Sequence, residues 1–101
     1  MNPHLCTEKS FSISVKITPK DLEEFVILME YFIIKVREEK GNIFYYVMKD
    51  CNEENRFIFW GLWQDDLSVQ AHMNSAYFIK YVPQLGRLYE DFKVTELEKF
   101  L

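Results

Sequence analysis

The sequence predicts an α+β domain of the ferredoxin-like type, in the order β-α-β-β-α-β with an antiparallel sheet. Three observations carry that expectation. An alternating strand near the start runs straight into an amphipathic helix. Two aromatic-rich strands follow, separated by a short polar turn. A second, interrupted helix then leads to a closing strand.

Residues 1–10 carry no apolar run and read as a flexible arm ahead of a single domain over residues 11–101. Phe11-Ser12-Ile13-Ser14-Val15-Lys16-Ile17 alternates apolar and polar, the pattern of a strand with one buried face. Thr18-Pro19-Lys20-Asp21 supplies a helix start, with Thr18 as cap and Pro19 in the first turn. Leu22, Phe25, Val26, Met29, Phe32, Ile33 and Val36 recur at helical spacing as its buried stripe. Arg37 and Lys40 suit the negative helix end, and Gly41 stops it. The run Glu38-Glu39-Lys40 reads as an ordinary exposed helix end.

Residues 43–48 and 56–63 form a predicted hairpin around the polar turn 50–55. Both strands are apolar on both faces, so each face needs a covering. Asp65 or Asp66 caps the second helix, Asn74-Ser75 interrupts it, and Ser75 caps its continuation. Pro83 is expected to kink or restart that continuation. Residues 92–97 close the sheet.

Composition narrows the function classes. Of 101 residues, 17% are aromatic, more surface than one small monomer hides, so a second copy packed sheet against sheet is expected, forming a dimeric α+β barrel. The net charge of -4 and scattered basic residues argue against a nucleic-acid partner. Strand three also lacks the glycine-aromatic pattern of an RNA-recognition module. No apolar run is long enough to span a membrane, and the cytoplasm is the expected location. Cys6 and Cys51 are too few for a disulfide framework, and without a Cys/His cluster no metal site is expected.

His72 is the only histidine within residues 11–101. Its unperturbed pKa near neutrality suits a general base, or equally a structural hydrogen bond between helix and sheet. Trp60 and Trp63 fall on opposite faces of a regular strand, as do Tyr45 and Tyr46. Trp63 is expected at a pocket wall, and Trp60 with Tyr46 at the subunit interface.

Two segments carry a resemblance. Glu39-Lys40-Gly41-Asn42-Ile43-Phe44-Tyr45-Tyr46-Val47 resembles an E-x-G-x-x-x-Y-x-V entry to strand two. Trp63, Ala71-His72 and Ser75-Ala76-Tyr77-Phe78 resemble a W…A-H…S-x-x-F segment. Together they are similar to the antibiotic biosynthesis monooxygenase family, over about residues 11–97. That resemblance implies a dimeric α+β barrel with a pocket between sheet and helices in each subunit. It also implies oxidation of a quinol or other electron-rich phenolic molecule, with O2 as co-substrate and no cofactor. By position, His72 and Trp63 are the expected catalytic residues. Tyr45, Asn74, Phe78, Phe25 and Met29 are the expected contacts to a small aromatic substrate.

Some positions depart from the family pattern. Gly61 stands where a glutamate is frequent, and Tyr77 where a second histidine is usual. Ser12, Ser14 and Val82 occupy positions that differ in the haem-degrading branch, so haem cleavage is not expected. Two other readings stay open: a non-catalytic, dimeric ligand-binding or stress protein, and an O2-independent isomerase on the same fold.

Overall fold

The structure, a computed structural model, describes residues 7–101. Strand β1 (Lys9–Ile17) is followed by a 3-10 turn (Pro19–Asp21) and helix α1 (Leu22–Arg37). Then come β2 (Asn42–Lys49), β3 (Arg56–Trp63), α2 (Asp66–Met73), α3 (Ala76–Gly86) and β4 (Tyr89–Leu97). The four strands form one antiparallel sheet in the order β2-β3-β1-β4, the ferredoxin-like arrangement.

The strands pack one face against the helices. Phe11, Ile13, Val15 and Ile17 on β1 share that face with Tyr45, Phe59 and Trp63. From the helices, Phe25, Met29, Phe32 and Val36 of α1, Val69 of α2 and Leu85 of α3 close the core. Each such side chain, once fully buried, contributes roughly 1.5–3 kcal/mol from removal of its apolar surface. The α1 stripe is narrower than its sequence pattern, because Val26 is 41% exposed beside the β2 edge.

Several boundaries differ from expectation, each for a local reason. β1 begins at Lys9, inside the predicted arm, because the buried Ser10 hydroxyl donates to the Gly61 carbonyl and accepts from Trp60 Nε1. Residues 1–6 of the arm, with Cys6, lie outside the described residues. Thr18 does not cap α1 through its side chain. It donates instead to the Asp21 carboxylate at 2.7 Å, and the 3-10 turn intervenes before α1. α3 runs through Pro83 without a break. The carbonyl that Pro83 leaves without a donor belongs to Ile79, on the exposed side where water can take it. β4 starts at Tyr89, three residues early, after a register shift opposite Lys16 and Ile17. No helix is long and apolar enough to cross a membrane among the described residues.

Candidate functional site

Between the sheet and helices α1, α2 and α3 lies a cavity of about 420 Å3. Its lining includes no charged residue and no serine, threonine, asparagine or glutamine among the described residues. Only Tyr45, Trp63, His72 and Tyr89 bring a side-chain nitrogen or oxygen to it. One wall is Phe11 and Ile13 of β1 with Phe92 and Val94 of β4. Phe92 and Val94 remain largely exposed and mark the mouth.

The polar end is assembled from three parts of the chain. After α1 the backbone turns, with Glu39 N–H donating to the Val36 carbonyl and Asn42 N–H to the Glu39 carbonyl. Gln64 N–H donates to the Gly41 carbonyl and fixes this turn against the end of β3. Gly41 is required there, since a Cβ would collide with the Ser68 side chain of α2. The turn sets the Glu39 carboxylate between two rings. Trp63 Nε1 donates to Glu39 Oε1 at 2.8 Å, and His72 Nδ1 lies 2.6 Å from Glu39 Oε2. The His72 and Glu39 side chains are 10% and 15% exposed, so this contact is largely shielded from water.

An ionised carboxylate only accepts, so Nδ1 of a neutral His72 carries the proton and Nε2 is left as an acceptor. The imidazole is held on its sides as well, by Trp63 at 4.8 Å and by the edge-on ring of Phe78 at 5.0 Å between centroids. Its backbone is tied by Ser75, whose hydroxyl donates to the His72 carbonyl and accepts from Phe78 N–H. Asp65 anchors the other end of α2, accepting from the Ser68 N–H and hydroxyl. Those bonds hold its carboxyl below the usual range.

Trp63 takes its pose from Gly61. A Cβ at Gly61 would lie 2.5 and 2.6 Å from two atoms of the Trp63 six-membered ring and 2.9 Å from the Tyr45 ring. Both rings occupy the space that a side chain at 61 would fill. Tyr45 is buried, and burial pushes its phenol far above the usual tyrosine range, with nearby Tyr89 and Glu39 adding to the shift. Its hydroxyl is therefore a neutral donor at any physiological pH.

Of the expected substrate contacts, Tyr45, Phe78 and Met29 line this cavity together with Trp63 and His72. Phe25 does not. It is fully buried against Phe57 and Phe59, at a separate open groove of about 240 Å3 between α1 and the β2–β3 hairpin. Asn74 does not line it either. It is the exposed C-cap of α2, its N–H donating to the Gln70 carbonyl, because a residue ending a helix turns to solvent. Tyr46 and Trp60 lie on the opposite sheet face, 49% and 37% exposed, in edge or stacked contact with Phe44.

Glu39, Gly61 and Tyr89 were not among the expected site residues. Glu39 was visible only as the first letter of the strand-two motif, and Gly61 only as a departure from the family pattern. Among the described residues no three of His, Cys, Asp and Glu come together as a metal-binding group.

Residues 12–84 match the family described as antibiotic biosynthesis monooxygenase. An uncharacterised protein of Synechocystis sp., sll1783, is 33% identical over 69 residues, covering 68% of this chain and 47% of that protein. The chain therefore spans about half the length of this curated relative. Among solved structures, a conserved protein from Methanosarcina mazei Go1 superimposes with a TM-score of 0.88 at 20% identity. That match covers 93% of this chain and 94% of the other. A structure described as an antibiotic biosynthesis monooxygenase superimposes with a TM-score of 0.85 at 19% identity, covering 92% and 99%. Likeness at these identities speaks to the fold.

Proposed function

The chain belongs to the antibiotic biosynthesis monooxygenase family, and on that premise we propose that its cavity binds an uncharged phenol or quinol and oxidises it with O2. The observation that carries this reading is the Glu39-anchored imidazole of His72, opening into a space with apolar walls. In that pose Nε2 takes the phenolic proton, and the Glu39 carboxylate stabilises the imidazolium that forms. A phenolate shielded from water is a strong reductant. It passes one electron to O2, the two radicals combine at a hydrogen-bearing ring carbon ortho or para to the oxygen, and the imidazolium returns its proton to the peroxide oxygen. The resulting hydroperoxide loses its C–H proton and hydroxide, giving a quinone and water. One oxygen atom enters the product and the other leaves as water, so the phenol supplies all the electrons and no resident cofactor is required. The protein's share is orientation, proton transfer and exclusion of water.

The second element of the proposal is a two-fold dimer through the outer sheet face. Phe44, Tyr46, Met48 and Trp60 form an apolar patch there that a second copy would cover.

The test is O2 consumption by the purified, metal-free protein against a panel of hydroquinones and anthrone-like phenols, corrected for autoxidation. Protein-dependent uptake that falls by ~10²-fold or more in His72→Ala supports the reading. Saturable binding without uptake overturns it in favour of a ligand-binding protein, and turnover without uptake in favour of an isomerase.

A further inference from the structure

The cavity has polar groups in two places. Toward one end are His72 and Trp63, with the indole N–H already committed to Glu39. Toward the other is Tyr89, the first residue of β4. Its ring lies 6.4 Å from that of Phe59 and 6.3 Å from that of Phe92. Phe59 and Trp63 stand four residues apart on one strand, a separation of roughly 13 Å along the wall. The register shift at Ile17 lets β4 begin at Tyr89 and aims this ring back into the cavity.

No hydrogen bond joins the Tyr89 or Tyr45 hydroxyl to a protein group among the described residues, and both residues line the cavity surface. Burial raises the Tyr89 phenol above its ordinary range, so it stays protonated and able to donate. The lining offers no cation to a carboxylate, sulfonate or phosphate.

We propose that Tyr89 is a specificity-determining residue: its hydroxyl donates to a second oxygen, at the end of the substrate away from His72, so the cavity prefers a phenol bearing an accepting oxygen there. This rests on the reading that the cavity holds a phenol with its hydroxyl toward His72. Tyr45 lies between the two ends and supports the same preference, its hydroxyl near enough to Tyr89 for the two to interact electrostatically.

The test compares 6-methoxy-2-naphthol with 6-methyl-2-naphthol by calorimetric titration under nitrogen. The two are similar in shape and differ in the far oxygen. The wild-type protein should bind the methoxy compound about five- to tenfold more tightly, the effect of one neutral hydrogen bond. Tyr89→Phe should abolish that preference while leaving the affinity for the methyl compound and the thermal midpoint unchanged. Equal binding of the two by the wild-type protein overturns the proposal without any variant. Equal weakening of both by Tyr89→Phe also overturns it, and assigns Tyr89 to packing. If neither compound binds the wild-type protein, the reading of the cavity as a phenol site falls, and this proposal with it.

Discussion

The two faces of the sheet use the same residue types for opposite ends. On the helix side, Trp63, Tyr45, Phe59 and Phe11 surround a void and leave it open. On the outer side, Trp60, Phe44 and Tyr46 pack on one another at 4.7 and 5.4 Å between centroids. The outer face also carries a charged cluster that the inner one lacks. Arg56 reaches Asp91 at 2.9 Å, Glu53 at 2.6 Å and the Ser14 hydroxyl at 2.9 Å, which keeps the Asp91 carboxyl below its usual range. The Glu39 carboxylate that meets Trp63 and His72 stands behind the rings rather than in the space. Aromatic content therefore does not by itself make a pocket. What matters is the room at Gly61, into which the Trp63 and Tyr45 rings settle, with a hydrogen bond that holds the indole in that pose.

The largest effect that would sharpen this contrast comes from Glu39→Gln. A glutamine amide donating to His72 Nδ1 would move the ring proton to Nε2 and remove the base. kcat should fall by about 10²-fold with KM little changed. A uniform loss of folded protein instead would give Glu39 a structural role. Next is Trp60→Lys, which puts a charge in the outer patch. Sedimentation should move from dimer to monomer at micromolar concentration while ligand affinity in the cavity holds. An unchanged assembly would remove Trp60 from the interface.

Gly61→Ala should cost about 1–3 kcal/mol, because two rigid rings must shift to admit one methyl group. That corresponds to a drop in Tm of several degrees for a domain of this size. Gly86→Ala is its control. Nothing lies within 4 Å of a Cβ at that position, so its Tm should stay level or rise slightly. Equal melting of the two variants would refute the argument from crowding. The smallest effect is at Tyr77, whose buried hydroxyl has no hydrogen-bond partner among the described residues. Tyr77→Phe should leave stability unchanged or raise it by about 1 kcal/mol, as a gain in thermal midpoint.

Much of the fold was legible because it is written in periodicity. β3 was readable over its full length from Arg56 to Trp63, and the opposed faces of Trp60 and Trp63 follow from alternation alone. Glu39 was not legible from its surroundings. Beside Glu38 and Lys40 it looks like a solvated helix end. Its partners stand 24 and 33 residues away, a distance that local pattern does not span. Tyr89 was hidden for a related reason. Whether it belongs to a loop or to a strand depends on a register shift in its neighbour, and that decides whether its ring reaches the cavity. Phe25 and Met29 have the same spacing logic on α1, yet Met29 lines the cavity and Phe25 does not. Helical phase fixes which side is buried, not what the buried side faces.

The division of the two tryptophans between the faces gives the chain a built-in optical assay. Trp63 lies against His72 and donates to a carboxylate, so its emission should respond to what enters the cavity and to the charge on the imidazole. Trp60 is partly open to water and should respond to an approaching second copy, and to dissolved quenchers such as iodide. Replacing either indole by phenylalanine would isolate the signal of the other. Cavity occupancy and self-association could then be followed separately, without a label.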